Sequence, residues 1–361
     1  MARLDTFLKL VVEQHASDLH FHAGNPPIVR HDGDIIKLPF RVLSDSEAER
    51  FIYEIMTDEQ KKAFLENHDL DMIYVIDGVG RFRVNVFLQS HGPSAVFRVI
   101  PQRLPTVEEL MLPPMVKKLA QLNNGLILVT GPTGAGKTTT LAAIVNYINT
   151  SFQKHIITIE DPIEFVHEPI NSVITQRQIG YHAESFATAL RSALRESPDV
   201  LVVGEMRDLE TVQLALQAAE TGVLVFATLH TNSAAKSIDR IIDVMPEESR
   251  DQTRGVLSVL LRGVMAQHLC KRASGEGRIA VMELLVQNWA VSNMIRENKI
   301  HMLDSYLLSA SLAETGCQSL DSCALQFIRE GLITLEDGLK IANDPLRLKE
   351  LASEFYEVEE D

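Results

Sequence analysis

A glycine-rich loop ending in lysine and threonine carries the most definite chemistry in this sequence. Residues Gly131-Pro132-Thr133-Gly134-Ala135-Gly136-Lys137-Thr138, followed by Thr139, fit the phosphate-loop pattern G-x-x-x-x-G-K-[ST]. Glycines at these positions let the backbone close around phosphates with its N–H groups turned inward, and a following helix N-terminus adds positive potential. In such a loop Lys137 contacts the β- and γ-phosphates and the Thr138 hydroxyl ligates Mg²⁺, so the pattern predicts binding of Mg²⁺-ATP.

Hydrolysis needs a further carboxylate at the metal and a group that orients the attacking water. In Asp199-Val-Leu-Val-Val-Gly-Glu205 an acid stands just past an apolar run, where a Walker-B acid belongs, although here it is Glu rather than Asp. Glu205 is therefore assigned to the Mg²⁺ shell together with Thr138. A second acidic cluster, Glu160-Asp-Pro-Ile-Glu164, follows another apolar run. Pro162 disfavours helix at Asp161, which puts these acids on an irregular loop, with Glu164 or Glu160 as the water-orienting group. His230, in Ala227-Thr-Leu-His-Thr231, lies past a fourth run and is a further candidate. His20 and His22 would share one strand face, but with no third ligand in view they read as structural.

The elements that must position these groups are legible around them. Short apolar runs at Leu126–Val129, Ile156–Ile159, Val200–Val203 and Leu224–Ala227 suit buried parallel strands. Helical spacing links them: Leu141, Ile144, Val145 and Ile148, then Leu209, Val212, Leu216 and Ala219, which ends at Gly222. Strand and helix in alternation predict an α/β core with a parallel sheet, whose ligands gather at the carboxyl ends of the strands. Ahead of it, a strand-like Asp18–His22, a helix over Ser46–Met56 and strands at Arg81–Leu88 and Ala95–Ile100 predict a smaller α+β domain. Phe82, Val84, Val86 and Leu88 fall on one face of the first of these strands, Arg81 and Arg83 on the other; Arg98 lies on the second. Pro101, Pro105, Pro113 and Pro114 mark the seam. The expected division is 1–100 for the first domain, 101–114 for the linker, 115–289 for the ATPase core and 290–361 for a mostly helical C-terminal region.

Composition excludes several functions. The 361 residues include 34 Lys and Arg against 49 Asp and Glu, a formal net charge of −15, which argues against a broad nucleic-acid surface. Part of that charge sits in the last ten residues, whose five acids and no base read as a solvated end. No apolar run approaches the length of a membrane-spanning helix, and Arg3, Asp5 and Lys9 are incompatible with a secretory leader. Three cysteines, Cys270, Cys317 and Cys323, without a C-x-x-C pair, point to a reducing, cytoplasmic compartment and away from a four-cysteine zinc site.

Taken together, the segments GPTGAGKTTTLAAI (131–144), ITIEDPIEFVHE (157–168), ALRSALRESPDVLVVGEMRDLET (189–211) and ETGVLVFATLHTNSAAKSIDR (220–240) resemble the secretion-type hexameric ATPases, and within them the twitching-motility (PilT) branch. SDLH (17–20) and GRFRVNVF (80–87) are similar to that branch's N-terminal domain. The resemblance implies a PAS-like N-terminal domain joined to a RecA-like P-loop ATPase domain and assembled as a homohexamer. It makes Glu164 the water-activating base, Glu205 the Walker-B acid and His230 the second histidine of a His box. It also sends Arg83 and Arg98, and less clearly Arg81, toward the nucleotide.

This sequence departs from the family at the first His-box histidine, replaced by Val223, and in the C-terminal AIRNLIRE signature, which reads Ala290-Val-Ser-Asn-Met-Ile-Arg-Glu297 with Ser292 in place of arginine. The resemblance implies a motor that powers pilus retraction while peripheral to the inner membrane at the pilus base. It would act on an inner-membrane platform protein and beside a second retraction or extension ATPase, with no nucleic acid and no direct membrane insertion. An accessory ATPase beside a principal motor and a ring regulator with weak turnover are the alternatives; DNA- or RNA-stimulated turnover would mark a nucleic-acid translocase.

Overall fold

The computed structural model describes residues 2–31, 34–100 and 103–358. The chain divides into two compact units, Met1–Arg103 and Leu104–Asp361. Pro101 and the last three acids of the tail lie outside the described residues.

The first unit is a six-stranded antiparallel sheet with three helices. Its strands are β1 (Asp18–His22), β2 (Ile28–His31), β3 (Asp34–Lys37), β4 (Asp69–Ile76), β5 (Gly80–Gln89) and β6 (Gly92–Ile100), in the order β3-β2-β1-β6-β5-β4. Helix α1 (Asp5–Glu13) precedes them, and α2 (Asp45–Tyr53) and α3 (Asp58–Asn67) lie between β3 and β4. Alternation along β5 buries Phe82, Val84 and Val86 completely, against Phe97, Leu19 and Phe21 of neighbouring strands and residues of the helices. Leu88 departs from the expected pattern. It sits near the end of β5 opposite Pro93 and is 47% exposed.

The second unit is built on a seven-stranded sheet. Its strands are β7 (Gly125–Thr130), β8 (His155–Glu160), β9 (Val173–Gln178), β10 (Val200–Val203), β11 (Leu224–Leu229), β12 (Leu261–Lys271) and β13 (Arg278–Val286), ordered β13-β12-β7-β11-β10-β8-β9. All neighbours are parallel except β12 and β13, which form an antiparallel hairpin. The helices α4 (Pro114–Ala120), α5 (Lys137–Ser151), α6 (Phe186–Ala193), α7 (Leu209–Glu220), α8 (Ala234–Asp243) and α9 (Arg250–Leu260) are interleaved with the strands. One face of the sheet packs on α6, α7 and α8, the other on α4 and α5, which leaves β7, β10 and β11 buried at every position. That double cover explains why these strands read as continuous apolar runs. After β13 the chain is helical: α10 (Trp289–Arg296), α11 (Leu303–Ser309), α12 (Leu312–Thr315), α13 (Leu320–Arg329), α14 (Leu335–Ile341) and α15 (Pro345–Val358). Among the described residues no helix is long and apolar enough to cross a membrane. The proline-rich stretch is not wholly a connector, because its Val107 and Leu112 are buried in the core that also holds Ile144 and Ile148.

The β12–β13 hairpin brings a carboxyl group inside. Glu283 on β13 is buried, and its Oε1 accepts the Ala234 backbone N–H at 2.7 Å, at the first turn of α8. Burial pushes this carboxyl up to about 7, reinforced by Asp304 and Asp321 and only partly offset by the Ala234 N–H and Lys236. A carboxyl raised in the fold favours folding below its unfolded value near 4.5, and that contribution is lost as pH rises through about 7. Above pH 7 the ionised group costs up to ~3 kcal/mol. Glu283→Gln copies the protonated form. It should raise the melting temperature by roughly 5 °C at pH 8 and leave it nearly unchanged at pH 5. Thermal scans at the two pH values check this, and an equal shift at both would contradict it.

Candidate functional site

Four consecutive strands end in register at one edge of the second unit. Thr130 at the end of β7 pairs with Leu229 of β11, Ala227 of β11 with Val203 of β10, and Val203 with Ile159 of β8. The residues that follow are therefore gathered together: the phosphate loop after β7, His230 after β11, Glu205 after β10, and Glu160 with Glu164 at the end of β8 and just beyond. Two glycines permit the close approach of these loops. Gly131 has φ +147°, and a Cβ there would lie 2.4 Å from the Gln267 carbonyl oxygen. A Cβ on Gly204 would lie 2.9 Å from the Ile159 carbonyl oxygen. Gly136, at φ +85°, caps α5, and Lys137 and Thr138 open its first turn.

Polar contacts connect the loops. The Lys137 ammonium donates to the carbonyls of Gly131 at 2.8 Å and Pro132 at 3.2 Å, and lies 3.4 Å from His230 Nδ1. Burial lowers the Lys137 pKa, with Glu205 opposing. On its other side, His230 Nε2 lies 3.3 Å from Glu205 Oε1. A neutral imidazole protonated on Nε2 satisfies both contacts, accepting from lysine and donating to glutamate. Arg207 closes the chain as a fork, with Nε at 2.7 Å from Glu205 Oε1 and Nη2 donating to Oε2 at 2.7 Å. Burial alone would push the Glu205 carboxyl up. The Arg207 guanidinium and the His230 ring outweigh it and hold the group below the usual carboxylate range, so Glu205 is an anion. Among the described residues no three His, Cys, Asp or Glu side chains cluster as a metal cage. A threonine hydroxyl with one ionised carboxylate at a phosphate loop is instead the hard-oxygen set that suits Mg²⁺ shared with phosphates.

The two acids of the loop after β8 occupy different environments. Glu160 Oε1 accepts from Thr158 Oγ1 at 2.6 Å and Gln176 Nε2 at 3.1 Å, and the Glu164 backbone N–H also bonds the carboxyl. Burial nevertheless raises its pKa. Gln176 holds the loop as well, donating to the Phe165 carbonyl at 2.9 Å and accepting the His167 N–H at 2.8 Å. Glu160 and Glu164 are alike half-buried, and what separates them is the bonding that Glu160 carries at the end of β8.

The arginines predicted from the resemblance belong to the first unit. Arg83 and Arg98 lie opposite one another on β5 and β6, and Asp18 of β1 lies opposite Arg98. Like charges in facing positions repel, and the Arg98 Nε–Asp18 bond at 2.9 Å offsets this while leaving Arg98 65% exposed. Arg81 faces Ile100 in the same pair. His20 and His22 stack at 5.8 Å between ring centroids.

The departures from the family pattern lie away from the phosphate loop. Val223 precedes β11 and packs in the core, so it sits at the opposite end of that strand from His230, roughly 20 Å away at strand rise. Ser292 is buried on α10 and accepts from Gln287 Nε2 at 2.9 Å, whereas Asn293, Arg296 and Glu297 of the same helix are exposed. Three residues of the site escape sequence reasoning: Arg207, Gln176 and Gln267. Arg207 stands two residues beyond Glu205, and that proximity was the only available signal. Gln176 acts from β9, within 16 residues of its partners but outside any motif, and Gln267 acts from β12, 132 residues from Ala135.

The family described as type II/IV secretion system protein matches residues 2–340. The chain is 46% identical over 338 residues to the type IV pilus retraction ATPase PilT of Pseudomonas aeruginosa, covering 94% of this chain and 97% of that protein. It is 48% identical over 318 residues to the twitching motility protein of Neisseria gonorrhoeae, covering 88% of this chain and 84% of the other. A crystal structure of the pilus retraction motor PilT with bound ADP superposes with a TM-score of 0.88 at 44% identity, over 97% of this chain and 99% of that one. With this agreement in sequence, fold and strand-edge geometry, the chain belongs to the type II/IV secretion system protein family, as an α/β protein with a RecA-like P-loop ATPase domain, a smaller PAS-like N-terminal domain and a helical C-terminal region.

Proposed function

We propose that this chain is the subunit of a homohexameric, Mg²⁺-ATP-hydrolysing motor that powers type IV pilus retraction. The observation that carries the proposal is the set of four adjacent strand ends bearing Lys137, His230, Glu205 and Glu164. The superposing PilT binds ADP, and at 44% identity over 97% of this chain the same ligand class suits this phosphate loop.

Residues Gly131 to Thr139 cradle the phosphates, and Lys137 exchanges its contacts with the Gly131 and Pro132 carbonyls for the β- and γ-phosphates. Thr138 and Glu205 would hold Mg²⁺, which when bound neutralises charge on the transferring phosphoryl group. Glu164, on the loop just beyond β8, orients the attacking water and takes its proton, while Glu160, whose carboxyl accepts the Glu164 N–H, positions the Glu164 backbone. His230 couples Lys137 to Glu205 and so links the phosphate loop to the Walker-B acid. Arg83 and Arg98 act in trans, carried by the PAS-like domain (1–100) of one subunit to the core (115–289) of the next across the linker (101–114). An arginine arriving only on closure supplies charge where the transition state needs it. The strokes of such a ring, cytoplasmic and peripheral to the inner membrane at the pilus base, would turn an inner-membrane platform protein, beside a second retraction or extension ATPase.

Lys137→Ala should lower ATP turnover by at least roughly 100-fold in a steady-state assay. Glu164→Gln should retain ATP binding while turnover falls roughly 10²–10⁴-fold, and brisk turnover in that variant would move the base to Glu160. Arg98→Ala should lower turnover by about 10³-fold. Mixing Arg98→Ala with Lys137→Ala subunits should restore part of the activity, since some interfaces then combine an intact arginine with an intact phosphate loop. No recovery on mixing would rule out the trans arrangement.

A further inference from the structure

Gln267, a β12 residue outside the motor motifs, touches the phosphate loop at several points. Its side chain is fully buried. Nε2 donates to the Ala135 carbonyl at 2.6 Å, and Oε1 accepts from Thr140 Oγ1 at 2.9 Å in the first turn of α5. Its backbone carbonyl is the atom a Cβ on Gly131 would strike, and a Cβ on Gly136 would come within 3.3 Å of its Nε2. One residue thus meets the beginning of the loop, its end and the helix it opens. A buried carboxamide is costly unless both its ends are bonded. Here both are, and both bonds go to the phosphate-loop segment. The neighbouring β12 side chains Met265 and Ala266 are apolar and fully buried, so strand packing alone does not call for an amide at 267.

The geometry of the peptide unit gives these bonds a consequence. A trans peptide is planar, with its C=O and N–H pointing in opposite directions. Holding the Ala135 carbonyl toward β12 therefore turns the Gly136 N–H away from β12, to the open side of the loop. We propose that Gln267 is a positioning residue for nucleotide binding, which fixes the Ala135–Gly136 peptide so that the Gly136 N–H is ready for a phosphate oxygen before nucleotide arrives. Without the clamp, binding must also order that peptide. The penalty then falls on ground-state affinity, equally for ADP and ATP, and little on the chemical step.

The inference rests on the phosphate loop being the nucleotide site, and Lys137→Ala tests that reading separately. In the full-length protein, Gln267→Met keeps the length of the side chain and removes both bonds. ADP titrated by calorimetry should bind about tenfold more weakly, and KM for ATP should rise by a similar factor with kcat within about twofold. Gln267→Glu adds a readout that a merely structural role would not give. Full burial at 267 raises a carboxyl above the usual glutamate range, so between pH 5.5 and 8.5 it passes from a protonated form, which still donates to Ala135 and accepts from Thr140, to an ionised one, which has no donor. The ratio of its ADP Kd to that of the unmodified protein should be near one at pH 5.5 and rise about tenfold by pH 8.5. If Gln267→Met does not fold, this pH series decides the matter alone. Unmodified affinity in Gln267→Met, or a ratio independent of pH in Gln267→Glu, would overturn the assignment. ADP binding unchanged in Lys137→Ala would instead overturn the phosphate-loop reading and this inference with it.

Discussion

The parallel register of β7, β11, β10 and β8 is the constraint on which the site depends. Parallel strands begin at one edge and end at the other, so four loops from distant parts of the chain emerge side by side without any direct selection for their proximity. The register is held by burial on both faces, where a slip of one residue would carry fully buried side chains of β7, β10 and β11 out of their packing. The glycines at 131 and 204 then let the first residues past the strands lie against neighbouring backbone. Fold and site are one construction here: helices on both faces fix the strands, and the strands fix the chemistry.

On that edge polar side chains form a continuous series from Arg207 through Glu205 and His230 to Lys137. Each member has a partner of complementary character, so moving one changes the balance at the next. The Lys137 ammonium that holds the loop carbonyls also lies against His230, which in turn touches Glu205. A nucleotide-sensitive motor needs this kind of link, because the state of the phosphate loop becomes visible two strands away. The acids at the end of β8 differ in how they are held: Thr158 and Gln176 bond Glu160 on the strand, while Glu164 stands on the loop beyond it.

Much of this is legible in the sequence where function and local pattern coincide. The phosphate loop is contiguous, and its strand and helix announce themselves as an apolar run and a helical spacing. Glu205, Glu160, Glu164 and His230 could be placed at strand ends because each follows such a run. The β12–β13 hairpin is marked only by a glycine-containing turn, Ser274-Gly-Glu-Gly277, which carries no chemistry, and Gln267 and Glu283 on its strands have partners 132 and 49 residues away. Leu88 shows the limit of alternation: period two predicts the face, but not how far along the strand burial extends. Val223 shows a different limit, since resemblance ties it to His230 by motif whereas the strand between them separates the two.

The central claim is that hydrolysis at this edge drives retraction, and imaging labelled pili in a strain lacking the chain's gene tests it most directly. The account predicts that pili extend but do not retract, that the unmodified chain restores retraction, and that a chain with Glu164→Gln produced at the same level does not. Retraction at ordinary speed in the deletion strain, or with the Glu164→Gln chain as its only copy, would contradict it.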